Sequence, residues 1–393
     1  MCNIPKLRFP EFSGEWEEKR IDSLSLINPK PGDLPEVFSY IDLESVKNGV
    51  LLQEKIIKKE EAPSRAQRLL EEKDILFQTV RPYQRNNYFF NSKSPTVAST
   101  GYAQFRVNKN NYPSFLYQYL YTNNFVKNVL DRCSGTSFPA ISTNDLLEIC
   151  LHIPSLAEQQ KIADFLSNVD SIITAETKIL NTLQKKKKAL MQKLFTRQLR
   201  FKSDDGKDFP AWEEKKLGDV CSYIGGGTPS KKVKEYWNGN INWASVKDIT
   251  GKYLYETQDK ISQLGADSSA TNICEPDSLL LITRMSPGKT VITKCITAIN
   301  QDLKIVKSDI NVEFLHLLFQ SIQTKIDEKT SGTTVKGISI EGLNQIDIRL
   351  PCKAEQQKIA DCLSSMDSLI QTQQKVVTAW QQRKKALLQQ MFV

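Results

Sequence analysis

The chain has 393 residues, 40% of them apolar and 25% charged, the profile of a globular protein with room for two or three domains. Lysine and arginine outnumber the acidic residues to leave a formal charge of +8, which suits a polyanionic partner and says nothing of fold. Eight cysteines without a CxxC pair, and only two histidines (His152 and His316), argue against a zinc site. No run is apolar for long enough to cross a membrane, and the N-terminus lacks the apolar stretch of an export signal. A cytoplasmic protein with reduced thiols is therefore expected.

The first segment with a recognisable pattern is FPEFSGEWEEKRI (Phe9–Ile21), preceded by Leu7-Arg8-Phe9. Residues 22–133 come next as short apolar runs punctuated by Gly, Pro and Asn, the pattern of a mixed α/β globule. Asp74-Ile75-Leu76-Phe77 reads as a strand that runs into a polar loop, Gln78–Arg85. Thr79, Arg81, Gln84 and Arg85 in that loop, with Lys93 beyond it, are candidate DNA contacts. Arginine offers a bidentate fork to guanine and glutamine can pair with adenine, while phosphate anchoring needs only cations and hydroxyls. The alternative is that the loop is an ordinary solvated connection. SGTSFPAIS (Ser134–Ser142) closes this stretch and adds Thr136 and Ser137 to the candidates.

At Pro154 a long helix is predicted to begin, with Ser155 and Glu158 spaced as a capping box. Ile162, Val169, Glu176, Leu183 and Leu190 then share one heptad register. Phe165, Ile172 and Ile179 stand three residues on, flanked by Leu166, Ile173, Leu180 and Leu194, and complete the expected seam. The run Lys185–Lys188 is a solvated face by default, with DNA phosphates or a partner subunit as the other readings.

From there the chain repeats itself. FPAWEEKKL (Phe209–Leu217) echoes Phe9–Ile21, and Leu199-Arg200-Phe201 echoes Leu7-Arg8-Phe9. In the diverged stretch 218–330, Gly225-Gly226-Gly227-Thr228-Pro229-Ser230 reads as a phosphate cradle or a flexible turn. Thr228, Ser230 and Lys231 are candidate DNA contacts there. Asp277–Leu281 is a second predicted strand, and Arg284, Ser286 and Lys289 in the loop after it are further candidates. That loop ends Gly288-Lys289-Thr290 like a phosphate-binding loop, but Thr283 stands where the first glycine is required. Asp277, Asp302 and Lys304 imitate the carboxylate–lysine set of a metal-dependent nuclease, yet the first copy has Gln104-Phe105-Arg106 near the second position. SGTTVKGIS (Ser331–Ser339) contributes Thr333 and Lys336.

The second long helix decides the organisation. Pro351–Ile370 matches Pro154–Ile173 at 14 of 20 positions, 197 residues on, so the two helices are copies of one element. Its seam reads Ile359, Met366, Gln373, Trp380 and Leu387, with Cys362, Leu369 and Val376, and Cys352 at the Ser155 position predicts a weaker cap. Glu176 and Gln373 interrupt both seams at one position, a device that fixes register at a cost in stability. Each helix of about 40 residues spans roughly 60 Å and cannot bury its stripe alone, so antiparallel packing with the two diverged inserts at opposite ends is expected. The N-terminal segment matches the stretch after the first helix, a stretch with no counterpart after Phe392, as in a cyclically permuted pair.

The helix opening P-x-x-A-E-Q-Q-K-I-A-D, the S-G-T loop before it, FPEFSGEWEEK and the stretch Gly225–Trp243 resemble, over the whole chain, the specificity subunit of type I restriction–modification enzymes. The resemblance implies an α+β fold of two mixed α/β target-recognition domains separated by two long antiparallel coiled-coil helices, with a pseudo-two-fold internal repeat. The expected division is 1–153, 154–198, 199–350 and 351–393. It also implies a subunit that binds double-stranded DNA at a bipartite target and has no active site or cofactor of its own. Two modification subunits with S-adenosylmethionine would methylate adenine, and restriction subunits with ATP and Mg2+ would cut, with no membrane involved. A self-sufficient nuclease or methyltransferase, or a coiled-coil scaffold without DNA specificity, are the competing readings.

Overall fold

The computed structural model describes residues 3–30, 32–332 and 335–393. It divides into two compact units, Met1–Lys178 with Gln374–Val393, and Ile179–Gln373. Two long helices, Leu156–Phe195 and Lys353–Gln390, each run through both units. Seven cysteines among the described residues are free thiols, and no described helix is long and apolar enough to cross a membrane.

The first unit carries two four-stranded sheets. One has the order Ser25–Ile27, Tyr102–Val107, Ile75–Gln78, Tyr88–Phe89, antiparallel throughout. The other runs Lys55–Lys58, Val37–Ile41, Thr96–Ser99, Ala66–Leu69, with only its central pair parallel. The second unit repeats both. Ser222–Ile224, Leu303–Lys307, Leu279–Ile282 and Thr290–Thr293 keep the first order and gain Tyr253–Leu254 at the edge. Asp259–Ile261, Ile241–Ala244, Thr297–Ile299 and Asn272–Cys274 keep the second, again with a parallel central pair. Inserts that share little sequence thus share strand order, because a sheet fixes where apolar side chains alternate and not which ones they are.

The AEQQ motif at each long helix start explains the repeat physically. Glu158 is buried and receives Arg8 (Nε and Nη2, both 2.8 Å) and the Trp16 indole (3.3 Å). Glu355, also buried, receives Arg200 (3.1 and 2.6 Å) and Trp212 (3.1 Å). The predicted capping box is therefore half formed. Ser155 Oγ does accept the Glu158 N–H at 3.4 Å, but the Glu158 carboxylate is occupied by a segment about 150 residues earlier. The next residue is equally matched. Gln159 donates to Pro154 O and accepts from Tyr112 N, while Gln356 donates to Pro351 O and accepts from Asn311 N.

Within the first unit the start of one long helix lies against the end of the other, in opposite directions. Ile162, Ala163 and Leu166 share a core with Leu388, Met391 and Phe392, and Asp170 pairs with Lys384 at 2.6 Å. Within the second unit Ile359, Ala360 and Leu363 share a core with Leu194, and Asp367 pairs with Lys187 at 2.5 Å. Lys187, and Lys384 in the matching run Arg383-Lys384-Lys385, are half-buried cross-helix partners, so these two lysines do not belong to a solvated face, while their neighbours in each run are exposed. Phe392 meets Trp16 at 6.2 Å and 89°, and Phe195 meets Trp212 at 6.2 Å and 89°. Leu7 N donates to Gln390 O as Leu199 N donates to Lys193 O. The N-terminal segment succeeds the second helix in space as residue 199 succeeds the first in sequence.

Burial corrects one part of the seam. Ile162, Val169, Glu176, Leu183 and Leu190 are buried or half-buried, and so are Leu166, Ile173, Leu180, Lys187 and Leu194, four residues on. The same holds for Ile359, Met366, Gln373, Trp380 and Leu387 with Leu363, Ile370, Val377, Lys384 and Met391. Phe165, Ile172, Ile179 and Leu369, expected three residues on, are exposed on the neighbouring face.

In the second unit the helix Val312–Ser321 packs on the strand Thr290–Thr293 and buries His316. The Gln320 amide donates to His316 Nε2 (2.7 Å), leaving Nδ1 to carry the proton toward Thr290 Oγ1 (2.9 Å). Burial, aided by nearby Lys252, pushes its pKa down to about 4. The unfolded chain, with an ordinary histidine value near 6.5, binds this proton first, so stability present above pH 6.5 is lost as pH falls toward 4. The loss amounts to about 3 kcal/mol for this group. Denaturant unfolding at pH 7 and pH 4 should show a smaller difference for His316→Gln than for the wild type. An equal difference would assign the acid sensitivity to other groups.

Candidate nucleic-acid interface

In the first unit the strand Ile75–Gln78 runs out into residues 79–85, and this loop is laid against residues 134–140. Val80 pairs with Ala140, Arg81 N donates to Pro139 O at 2.7 Å, and Ile141 N donates to Thr79 O at 3.1 Å. The 134–140 loop is closed on itself by two 3.0 Å bonds between Ser134 and Ala140. In the second unit Arg284 pairs with Gly337, Met285 N donates to Lys336 O at 2.8 Å, and Ile338 N donates to Thr283 O at 2.9 Å. Ser331 and Gly337 close that loop at 2.9 and 2.8 Å. Two segments far apart in sequence therefore form one pinned loop pair in each unit.

The side chains divide by what they already hold. The Arg81 guanidinium sits 4.3 Å from the centroid of the Phe138 ring, and Phe138 is 62% exposed. Thr136 and Ser137 are exposed on the same loop as Phe138. Arg85 is committed to the fold, since it donates to Tyr121 O (2.9 Å) and Asn123 Oδ1 (2.8 Å). The Thr79 hydroxyl donates to Gly101 O, and Gln84 Oε1 accepts from Gln78. Lys93 is exposed but lies elsewhere. It comes after the strand Tyr88–Phe89, whose antiparallel register carries the chain past Ile75, away from the 79–85 loop.

In the second unit Arg284 is exposed with Nη1 3.4 Å from Asp302, and Lys289 and Lys336 are exposed with Ser286 half-buried. Thr228 donates to Gln301 (2.6 Å), beside Asp302, which places it next to this loop pair. Ser230 O accepts the Trp237 indole N–H, and Lys231 is exposed after it. Thr333 lies outside the described residues. The glycine tract, read from the sequence as a phosphate cradle or a flexible turn, packs closely on neighbouring backbone at Gly226 and Gly227. Gly227 N is taken by Ile299 O at 3.0 Å, and a Cβ on Gly226 would stand 2.3 Å from the same oxygen. Glycine is there for close backbone approach.

The nuclease-like set does not converge. Asp277 pairs with Lys294 before the strand Leu279–Ile282, whereas Asp302 lies beyond its far end, where Thr283 N reaches Asp302 O. About five residues of strand at roughly 3.3 Å each separate them. Asp74 is buried between Arg106 (2.9 Å), Gln104 (2.7 Å) and the Glu71 N–H (2.8 Å), the environment of a structural carboxylate.

A family model described as the type I restriction modification DNA specificity domain matches residues 14–185 and again 211–379. The chain belongs to this family. Its two specificity domains give it a role in DNA target recognition. The MjaIX type I specificity subunit of Methanocaldococcus jannaschii is 32% identical over 180 residues, covering 44% of this chain and 42% of that one. The HindI specificity subunit of Haemophilus influenzae is 24% identical, covering 86% and 90%. The solved type I S subunit from M. genitalium shares the fold, with a TM-score of 0.61 over 99% of each chain at 15% identity.

Each specificity domain therefore presents a pinned loop pair. In the first, Phe138 stands at its tip beside Arg81. In the second, Met285 (62% exposed) and Val335 (46% exposed) stand there beside Arg284 and Lys336. Sequence reasoning passed over Phe138, Met285 and Val335. The available signal was that SGTSFPAIS and SGTTVKGIS agree except at their centres, where Ser137-Phe138-Pro139-Ala140 answers to Thr334-Val335-Lys336-Gly337.

Proposed function

We propose that this chain is the non-catalytic specificity subunit of a type I restriction–modification complex, each specificity domain reading one half of a bipartite double-stranded DNA target. The recognition domains are residues 1–153 and 199–350. Residues 154–198 and 351–393 form an antiparallel coiled-coil spacer related by a pseudo-two-fold, which holds the half-sites apart and docks two modification subunits. Adenine methylation with S-adenosylmethionine, and ATP- and Mg2+-dependent cleavage, belong to the modification and restriction subunits, in the cytoplasm. The observation that carries this reading is the duplication of the cross-helix pair, Asp170–Lys384 and Asp367–Lys187, together with a pinned loop pair in each of two DNA specificity domains. A scaffold would need the helices and leave the loop pairs without a purpose.

The test is an exchange of residues 22–133 for those of a relative with a different target. One half of the methylated motif should change while the other half and the gap stay as they were. Alteration of both halves together would refute independent reading by the two domains.

A further inference from the structure

The two loop pairs share a backbone and differ in chemistry. Arg81 and Met285 occupy the same place, just past the end of matching strands, and both adopt a left-handed conformation (φ 55° and 71°) that non-glycine residues seldom take. Each donates its N–H to the facing loop, to Pro139 O and Lys336 O respectively. Beside those acceptors stand Phe138 and Val335, both exposed. A strained backbone held at one position in two copies, with unrelated side chains mounted on it, separates what is fixed from what varies.

We propose that these two positions form the principal base-reading pair of each specificity domain. Arg81 with Phe138 reads a guanine in one half-site, and Met285 with Val335 packs on the 5-methyl group of a thymine in the other. The inference rests on the specificity-subunit reading and assigns the chemistry within it. Arginine is suited to guanine O6 and N7 through two parallel donors, and the ring under it restricts its rotamers before DNA arrives. Met285 and Val335 have no donor to offer a base edge, and apolar contact with the thymine methyl group is the contact open to them. Of the neighbouring polar groups, Arg85 is used by Tyr121 and Asn123, and the hydroxyls of Thr79 and Thr283 by the carbonyls of Gly101 and Asp302; Thr136, Ser137, Arg284 and Lys336 are exposed on the same loops and are assigned to phosphate and sugar oxygens.

The test exchanges the pairs in the full chain assembled with its modification subunits, as Arg81→Met with Phe138→Val, and as Met285→Arg with Val335→Phe. Binding is measured by fluorescence anisotropy on synthetic duplexes carrying the methylated motif, and on duplexes with every other base at each specified position. The wild type should require guanine at one position of one half and thymine at one position of the other. The first exchange should reduce guanine discrimination about tenfold or more, leaving the other half unaffected, and the second should do the converse. Arg81→Lys, which keeps the charge and loses the fork, should lose the same discrimination with unchanged salt dependence; this single change carries the test if the double variant does not fold. Unchanged discrimination at every position in folded variants, or uniform weakening on all duplexes, would overturn the assignment. A wild type without sequence preference would instead remove the specificity reading beneath it.

Discussion

Four residues inserted after Leu183 should lengthen the gap between the half-sites, whereas two residues at the same place should abolish recognition. The inward line of the first long helix alternates steps of four and three, from Ile162 through Leu183 to Leu194. Four extra residues add about 6 Å of rise and roughly 40° of rotation, a stutter that heptad packing absorbs by local unwinding. DNA rises roughly 3.4 Å per base pair, so the gap should grow by about one or two base pairs with both half-site sequences retained. The shift also displaces Lys187 from Asp367, a half-buried pair whose loss should cost little beside the apolar seam. Two extra residues rotate everything after Leu183 by about 200° and turn Leu190 and Leu194 away from the seam and the second core. Mapping of methylated motifs distinguishes these cases. A folded, methylating four-residue variant with an unchanged gap would mean that spacing is set elsewhere.

Replacement of Glu158 or Glu355 by alanine should cost about 3 kcal/mol each, among the largest effects of any single change in this chain. Each carboxylate is buried and holds both a guanidinium and an indole N–H, so its removal leaves an indole donor without an acceptor and a guanidinium without its counter-charge, held only by the carbonyls of Ser13 and Gly14 or of Phe209 and Pro210. The damage should be local. Hydrogen exchange in Glu158→Ala should rise over residues 7–20 and in Glu355→Ala over residues 199–216, the segments that each glutamate ties down. Exchange rising equally in both segments of either variant would contradict two separate anchors. A loss below 1 kcal/mol would mean that the aromatic contacts of Trp16 and Trp212 suffice.

How much of the molecule is legible in the sequence depends on the range of each signal. The duplication could be read because AEQQKIAD returns intact, and the long helices because a heptad pattern is local. The meaning of Glu158 was hidden, since a capping box needs only four residues whereas Arg8 and Trp16 come from about 150 positions away. The phase of the seam was half hidden. Phe165, Ile172 and Ile179 form an apolar stripe beside the true one, and Phe9 lies against Phe165 at 5.8 Å, so apolar character there does not mark the helix–helix contact. The common strand order of the inserts was invisible to identity. The loop pairs escaped because their shape comes from backbone bonds and from left-handed Arg81 and Met285, where no glycine marks the turn.

The proposal that one chain carries two DNA readers with a set spacing is tested most directly by base-resolution mapping of N6-methyladenine in DNA from cells that express this chain with its modification subunits and no other methyltransferase. One motif is expected, of two short specified blocks of different sequence, separated by unspecified bases of constant number. A single uninterrupted block, or two blocks at variable separation, would contradict it.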